Sequence, residues 1–345
     1  MSTSSIKGAV VRGPGRIECA QIELAEPKAA EAVIRIEACG ICGSDLHMLA
    51  GDGVPVGHTP GHEMCGRIER VGADVTNVSE GDRVVVEPTS ACGTCTYCTA
   101  GNPQLCPQLE IYGVHLKGGL AEKMVVRADC LHTVDEALGP EVASLAEPIA
   151  VAVHGMRRAR LARGDRVLVQ GAGTIGLVTT LVATAMGAEV WQSARYEHQR
   201  EMALSLGAKR VLREEEADSL GLAKLARATD FDIVAETVGG HANTLEEACY
   251  AVRPGGTILV LGMFLKDPTI APLSLLVKEA TMVWSNCYAR QDGGGDFANA
   301  VRMIEEQRET AAILATHQFP LCDVDKAFAA AADRRSGAVK ISIHP

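Results

Sequence analysis

Positive charge is in short supply: 33 Lys and Arg stand against 43 Asp and Glu, for a formal net charge of −10. Such a chain lacks the basic face that nucleic acid or an anionic membrane requires, so neither is expected as a partner. Aromatics are scarce as well, with 5 Phe, 5 Tyr and 2 Trp in 345 residues. A large aromatic pocket is therefore not expected, although Tyr112, Trp284 and Tyr288 are candidates to contribute to one. No apolar run reaches the roughly 18 residues of a bilayer span. The opening MSTSSIKGAVV has one Lys and no apolar core of signal-peptide length. No tract is biased enough for disorder, collagen or coiled coil. The expectation is a soluble cytoplasmic protein whose length suits two domains.

What the chain does have is cysteine, twelve in all. In a long chain without a signal peptide these read as reduced thiols, some of them binding metal. Cys92, Cys95, Cys98 and Cys106 form C-x2-C-x2-C-x7-C. Four thiolates at this spacing close a tetrahedron round one Zn²⁺ and leave no open position, which is a structural site. Gly93, Gly101 and Pro103 allow the tight turns this needs. An iron–sulfur cluster or four unrelated thiols fit the ligand type and spacing less well.

The first 150 residues read as short β-branched strands punctuated by Gly and Pro: KGAVV, AVIRIEAC, GRIERVG, DRVVVEP and KMVVRAD. From about residue 150 apolar strands alternate with helical patterns. Examples are RVLVQ, TIGLVTTLVATAMG, AEVWQSA and EHQREMALSLG, then DFDIVAE, HANTLEEACYAV, GGTILVLG and ATMVWSN. That alternation implies a parallel sheet covered on both faces. DFANAVRMIEEQR and VDKAFAAAADRR read as amphipathic helices, and AVKISI as a last strand.

A second metal constellation is more dispersed. Cys42 lies in CGICGSDLH, and His62 and Glu63 follow in GHEMCGRIERVG. A catalytic zinc takes about three protein ligands and keeps one position open for a substrate oxygen. Cys42 and His62 supply a sulfur and an imidazole. Two carboxylates are candidates for the third ligand, Glu63 and Glu147 of LAEPIAVAVHG. Ser44 is placed to touch the alcohol, and His47 to hand its proton to solvent. The loop AGDGVPVGHTP is expected at the pocket mouth, with His58 as a loop residue rather than a ligand.

Gly171, Gly173 and Gly176, with Thr174 and Ile175 between them, form G-x-G-x-x-G between a strand and a helix. This is the arrangement that cradles a dinucleotide pyrophosphate on a helix N-terminus. Chains that take NAD place an acidic residue about twenty positions on, to hold the ribose 2′-hydroxyl. Here that position is Ala194, flanked by Ser193 and Arg195. A guanidinium pairs with a 2′-phosphate, so NADP is expected, with NAD as the alternative should Glu189 or Glu197 serve the ribose.

Together these residues resemble the zinc-dependent medium-chain dehydrogenase/reductase family, the zinc alcohol dehydrogenases. Gly61-His62-Glu63 with Gly66 and Gly72 matches the family's zinc signature, and Cys42-Gly43-Ser44-Asp45 its catalytic cysteine segment. The resemblance covers nearly the whole chain. It implies an α/β protein with a GroES-like β catalytic domain, residues 1–152 and 288–345, carrying a structural zinc lobe at about 90–108. A Rossmann doubly wound parallel sheet, residues 153–287, lies between. It implies two zincs per chain and hydride transfer between a nicotinamide cofactor and a secondary alcohol or ketone. Glu147-Pro148 stands where animal and plant alcohol dehydrogenases have Cys, which is similar to the polyol (sorbitol-type) and threonine dehydrogenases. A polyol, sugar alcohol or amino alcohol is the expected substrate, with Ser44, His47 and Glu63 as catalytic residues. In those relatives the Glu beside the His or the one matching Glu147 ligates zinc. A catalytically silent scaffold of the same fold would need none of Cys42, Ser44, His47, His62, Glu63 and Glu147, and zinc-free quinone reductases lack both metal sites. A homodimer, or a tetramer of dimers, is expected through ATMVWSN at the sheet's end.

Overall fold

The computed structural model describes residues 4–51, 55–213, 230–291 and 295–345. Residues 52–54 of the loop expected at the pocket mouth lie outside the described residues. The chain forms two compact units, residues 1–147 with 289–345, and residues 148–288. The first boundary falls inside the helix Ala146–Arg158, which also contains the break expected after residue 152.

The first unit is built on a seven-stranded sheet. Its strands run in the order Ala315–Pro320, Lys340–His344, Glu31–Gly40, Glu63–Val71, Arg83–Val86 and Leu131–Thr133, with Lys123–Arg127 also on Glu31–Gly40. All pairings are antiparallel except the first. Two registers matter for the site. Gly40 lies opposite Glu63, and Ser342 lies opposite Gly40. Strand pairing therefore brings together three segments far apart in sequence: the one leading to Cys42, the one starting at His62, and the C-terminal strand. The strands Ser4–Gly13 and Arg16–Leu24 form a separate hairpin. Ile34, Met64, Val84, Leu120 and Ile343 are fully buried in this unit's core. Each such apolar side chain stabilises the fold by about 1.5–3 kcal/mol.

The second unit is a six-stranded parallel sheet. Its order is Arg210–Leu212, Glu189–Ser193, Arg166–Gln170, Phe231–Glu236, Val252–Val260 and Thr281–Trp284. In sequence order this is 3-2-1-4-5-6, the doubly wound Rossmann arrangement. Val167, Leu168 and Val169 of the central strand are completely buried, as a strand covered on both faces requires. The following helix, Thr174–Ala185, is buried from Gly176 to Ala183, which accounts for its almost uninterrupted apolar sequence.

Tyr112 and Tyr288 differ from expectation. Both are core side chains, and the Tyr112 hydroxyl accepts a hydrogen bond from the Arg127 backbone N–H at 3.1 Å. Packing rather than a pocket absorbs these two aromatics. Trp284 is half exposed on the edge strand of the parallel sheet.

Candidate metal centres and dinucleotide turn

Four sulfurs converge at residues 92–106. The Sγ atoms of Cys92, Cys95, Cys98 and Cys106 all lie within 4.8 Å of one another. Cys92–Cys98 measures 3.9 Å and Cys95–Cys98 3.5 Å. A tetrahedron of sulfurs about 2.3 Å from zinc has edges of about 3.8 Å, so the cluster fits the ion. The backbone is also suited to it. The N–H of Cys95 points at Cys92 Sγ and that of Gln108 at Cys106 Sγ, each at 3.3 Å. Backbone donors from Thr94 and Cys95 pull the Cys92 thiol down to about 6. Partial burial and the sulfur of Cys95 push Cys98 upward. Arg290 donates its backbone N–H to Gly101 O at 2.9 Å, and Gln291 Nε2 donates to Asn102 Oδ1 at 2.9 Å, tying the lobe to its own unit.

The second cluster forms where the sheet registers predict contact. One ligand atom each from Cys42, His62 and Glu63 lies within 4.8 Å of the others. Cys42 is the N-cap of the helix Gly43–Ala50, which carries Ser44 in its first turn and His47 in its last. Three residues apart, Ser44 and His47 share a helix face. Ser44 Oγ lies 3.4 Å from His62 Nε2, and His47 is exposed. Glu147, buried at the start of the helix Ala146–Arg158, is not among the atoms within that 4.8 Å. A cysteine, a buried imidazole and a carboxylate are donors that suit zinc, so the set fits the ion. His58 bonds Gly113 O through Nε2 at 3.1 Å and is a loop residue.

Two partners of this cluster had no role assigned from the sequence, although Asp45 stands in the quoted Cys42-Gly43-Ser44-Asp45 segment. Asp45 accepts the Cys42 backbone N–H through Oδ2 at 2.9 Å, and its Oδ1 faces His62 Nδ1 at 3.5 Å. A carboxylate on Nδ1 fixes the imidazole so that Nε2 faces a metal. Burial pushes the His62 imidazole down, and Asp45 and Cys42 outweigh it, holding it well above its ordinary value. The signal for Asp45 was its place three residues after a helix N-cap. Lys340 is fully buried and donates to both Glu63 oxygens and to Ile41 O. Its signal was a lysine inside an apolar strand, which needs a buried counter-charge.

In the second unit the three glycines have separate reasons to be glycine. Gly171 has φ +90°, and a Cβ on Gly176 would lie 2.1 Å from Gly171 O. At Gly173, the N-cap of the helix, a Cβ would meet nothing within 4 Å, which leaves room for a pyrophosphate. Thr174 and Ile175 form the first turn of that helix. Ser193 Oγ accepts the Gly171 N–H at 2.9 Å, and Gln192 Nε2 donates to Gly171 O at 2.9 Å, so the second strand holds the turn. Ala194 is buried and Arg195 exposed just past the C-terminal end of that strand. Glu189 sits at the strand's opposite end, paired with Lys209 at 2.5 Å, remote from where a ribose lies in this fold.

Comparison with known proteins gives the family. Residues 28–136 match the alcohol dehydrogenase GroES-like domain, and residues 174–306 the zinc-binding dehydrogenase domain. The chain belongs to the zinc-type medium-chain dehydrogenases and is an alcohol oxidoreductase. It is 35% identical to the D-altritol 5-dehydrogenase of Agrobacterium fabrum over 321 residues, 90% of this chain and 91% of the relative. A zinc-binding dehydrogenase of Sinorhizobium meliloti bound to NADP superposes with a TM-score of 0.88, at 26% identity over 99% of this chain and 100% of that one. An Escherichia coli alcohol dehydrogenase complexed with NADH superposes at 0.89, with 26% identity and the same coverage. Among the described residues no helix is long and apolar enough to cross a membrane.

Proposed function

We propose that this protein interconverts a secondary alcohol of a polyol or sugar alcohol and its ketone, using NADP(H) and two zinc ions per chain. The carrying observation is the meeting of Cys42, His62 and Glu63 within 4.8 Å, with Ser44 Oγ 3.4 Å from the His62 nitrogen that faces the cluster. Cys42, His62 and a glutamate hold the catalytic ion, with Glu63 favoured over Glu147 by its place in the cluster. When bound, zinc makes the alcohol proton more acidic and the nicotinamide accepts the hydride. Ser44 Oγ receives that proton as its own hydroxyl proton leaves towards His47, one turn along the same helix, which passes a proton to water. Asp45 keeps the His62 ring in place. Cys92, Cys95, Cys98 and Cys106 hold the structural ion.

For the cofactor, the turn at Gly171–Gly176 receives the pyrophosphate. Arg195 pairs with a 2′-phosphate where Ala194 offers no acid to a 2′-hydroxyl. The polyol class is supported by the glutamate-assisted zinc set and by the D-altritol dehydrogenase relative. A second copy of the chain is the proposed partner, beside the exposed edge strand Thr281–Trp284 and Leu273, Leu276 and Val277 of the helix Pro272–Lys278, each more than 70% exposed. The deciding experiment screens polyols, sugar alcohols, amino alcohols and simple secondary alcohols with NADP⁺ and with NAD⁺. A polyol with NADP⁺ should give the highest kcat/KM, and Arg195→Ala with Ala194→Asp should reverse the cofactor order. A wild type that prefers NAD⁺ tenfold, or turns over only simple alcohols, overturns the corresponding half of the proposal.

A further inference from the structure

Nine of the twelve cysteines belong to the two metal clusters or are buried singly. Cys42, Cys92, Cys95, Cys98 and Cys106 belong to those clusters. Cys39, Cys65, Cys130 and Cys249 are buried singly, and burial pushes the thiols of Cys65 and Cys130 up to about 12. Cys287, at φ +50°, turns its thiol to Asn286 Oδ1 at 3.6 Å. Cys19 and Cys322 are the exception: 303 positions apart in sequence, their sulfurs lie 3.7 Å from each other.

The two members differ in access. Cys322 is exposed on the short turn Leu321–Asp323, while Cys19 is half-buried on the strand Arg16–Leu24, packed against the core of the first unit. A disulfide needs sulfurs about 2.0 Å apart, so closing the pair asks for about 1.7 Å of approach. That is within the reach of a side-chain rotation at either end. Burial, and then the neighbouring Cys322 sulfur, push the Cys19 thiol upward. Cys19 is thus a slow target by itself and is reached through its partner.

We infer that Cys19 and Cys322 are a thiol modification site, which a peroxide converts into a reversible disulfide tying the N-terminal hairpin to the C-terminal segment. The exposed Cys322 thiolate attacks the peroxide O–O bond, forming an S–O bond and releasing one water after protonation. Cys19 then attacks that sulfur; the S–S bond forms, the S–O bond breaks, and the leaving hydroxide takes a proton to become a second water. Two thiols and one hydrogen peroxide give one disulfide and two waters, the sulfurs being oxidised and the peroxide oxygens reduced. In reducing surroundings the pair returns to the dithiol.

The position of the bond gives it a consequence. The hairpin turn donates Gly15 N–H to Leu49 O at 2.7 Å, at the end of the helix bearing Ser44 and His47. The turn with Cys322 leads into the helix Val324–Ala332, which packs on that same helix and precedes the strand of Lys340. The disulfide joins the two segments that flank the catalytic helix. It also closes a very long chain loop, the case in which a cross-link most restricts the unfolded state.

The test uses the zinc-loaded full chain, hydrogen peroxide as the probe, alkylation of remaining thiols and peptide mapping without reductant. The expected product is a Cys19–Cys322 peptide pair about 2 Da lighter than the two reduced peptides and abolished by dithiothreitol. It should be accompanied by a rise in melting temperature of roughly 5 °C. Cys19→Ser and Cys322→Ser should each lose both the linked peptide and the rise, with zinc content unchanged as the check that they fold. Cys322 found as sulfinic acid beside a free Cys19, or a linked peptide formed only after denaturation, overturns the inference. The readout is independent of turnover, so it stands or falls separately from the proposed reaction.

Discussion

Lys340 Nζ donates to both carboxylate oxygens of Glu63, at 2.6 and 2.5 Å, and neither side chain reaches solvent. Burial alone would push the Lys340 ammonium down. Glu63, with Cys42 behind it, outweighs that and holds the ammonium above its ordinary value. The candidate catalytic centre is therefore built round a buried ion pair whose acidic half belongs to the metal cluster. Removing one partner of such a pair leaves a buried charge uncompensated, at a cost of about 3–5 kcal/mol.

Lys340→Met should therefore lower unfolding free energy by about that amount and weaken zinc retention, measured by denaturant titration and by metal content after dialysis against a chelator. Adding Glu63→Gln should restore part of the stability, since the two effects are coupled. If the single change were neutral in both assays, the ion pair would have no role in holding the site.

The structural lobe should come apart from the chemistry. Cys95→Ser is expected to reduce zinc from two ions per chain to one and to lower the melting temperature, with turnover surviving in the folded fraction. Lost turnover with unchanged metal content and melting temperature would contradict a structural role.

In the other cluster the order of severity is the prediction. Cys42→Ser and His62→Ala should lose the second zinc together with nearly all activity. Ser44→Ala should be severe with zinc retained. His47→Ala should cost roughly 10²-fold or less, because water offers another route for the proton, and added buffer base should recover part of it. His62→Ala with its zinc and most of its kcat intact would end the reading.

Acid stability should depend on Glu87. Burial pushes its carboxyl up, but His132 at 3.1 Å and Arg290 at 2.9 Å outweigh it and hold it below the ordinary value. A depressed carboxyl contributes stability above its unfolded pKa and loses it as pH falls through the folded one. The loss therefore belongs below about pH 4.5. Glu87→Gln should be destabilised at pH 7, and the gap from wild type should narrow as the pH falls below the ordinary carboxylate range, read from melting curves. A gap that stays constant with pH would show that packing, not charge, is what Glu87 contributes.

The local chemistry was legible in the sequence because it is written in spacing. Four cysteines within fifteen residues share one turn system, and G-x-G-x-x-G joins a strand to a helix in a single stretch. The alternation of strand and helix after residue 150 likewise showed a parallel sheet, since a strand covered on both faces has no polar side to show. Less visible was the hairpin partner Arg16–Leu24, where exposed and half-buried positions alternate irregularly and leave no clean period.

Only the tertiary structure decided which distant residues meet. Cys42 and His62 are twenty residues apart, and Lys340 lies 277 residues beyond Glu63. They come together because Gly40 is in register with both Glu63 and Ser342. Of the two carboxylates that the sequence offered equally, that register places Glu63 in the cluster, while Glu147 starts the helix Ala146–Arg158, away from those strands in the chain. Composition and spacing act along the chain, whereas register is a property of strands paired across it. A one-residue slip in that pairing would turn Glu63 to the other face of the sheet and dissolve the site without changing a single residue.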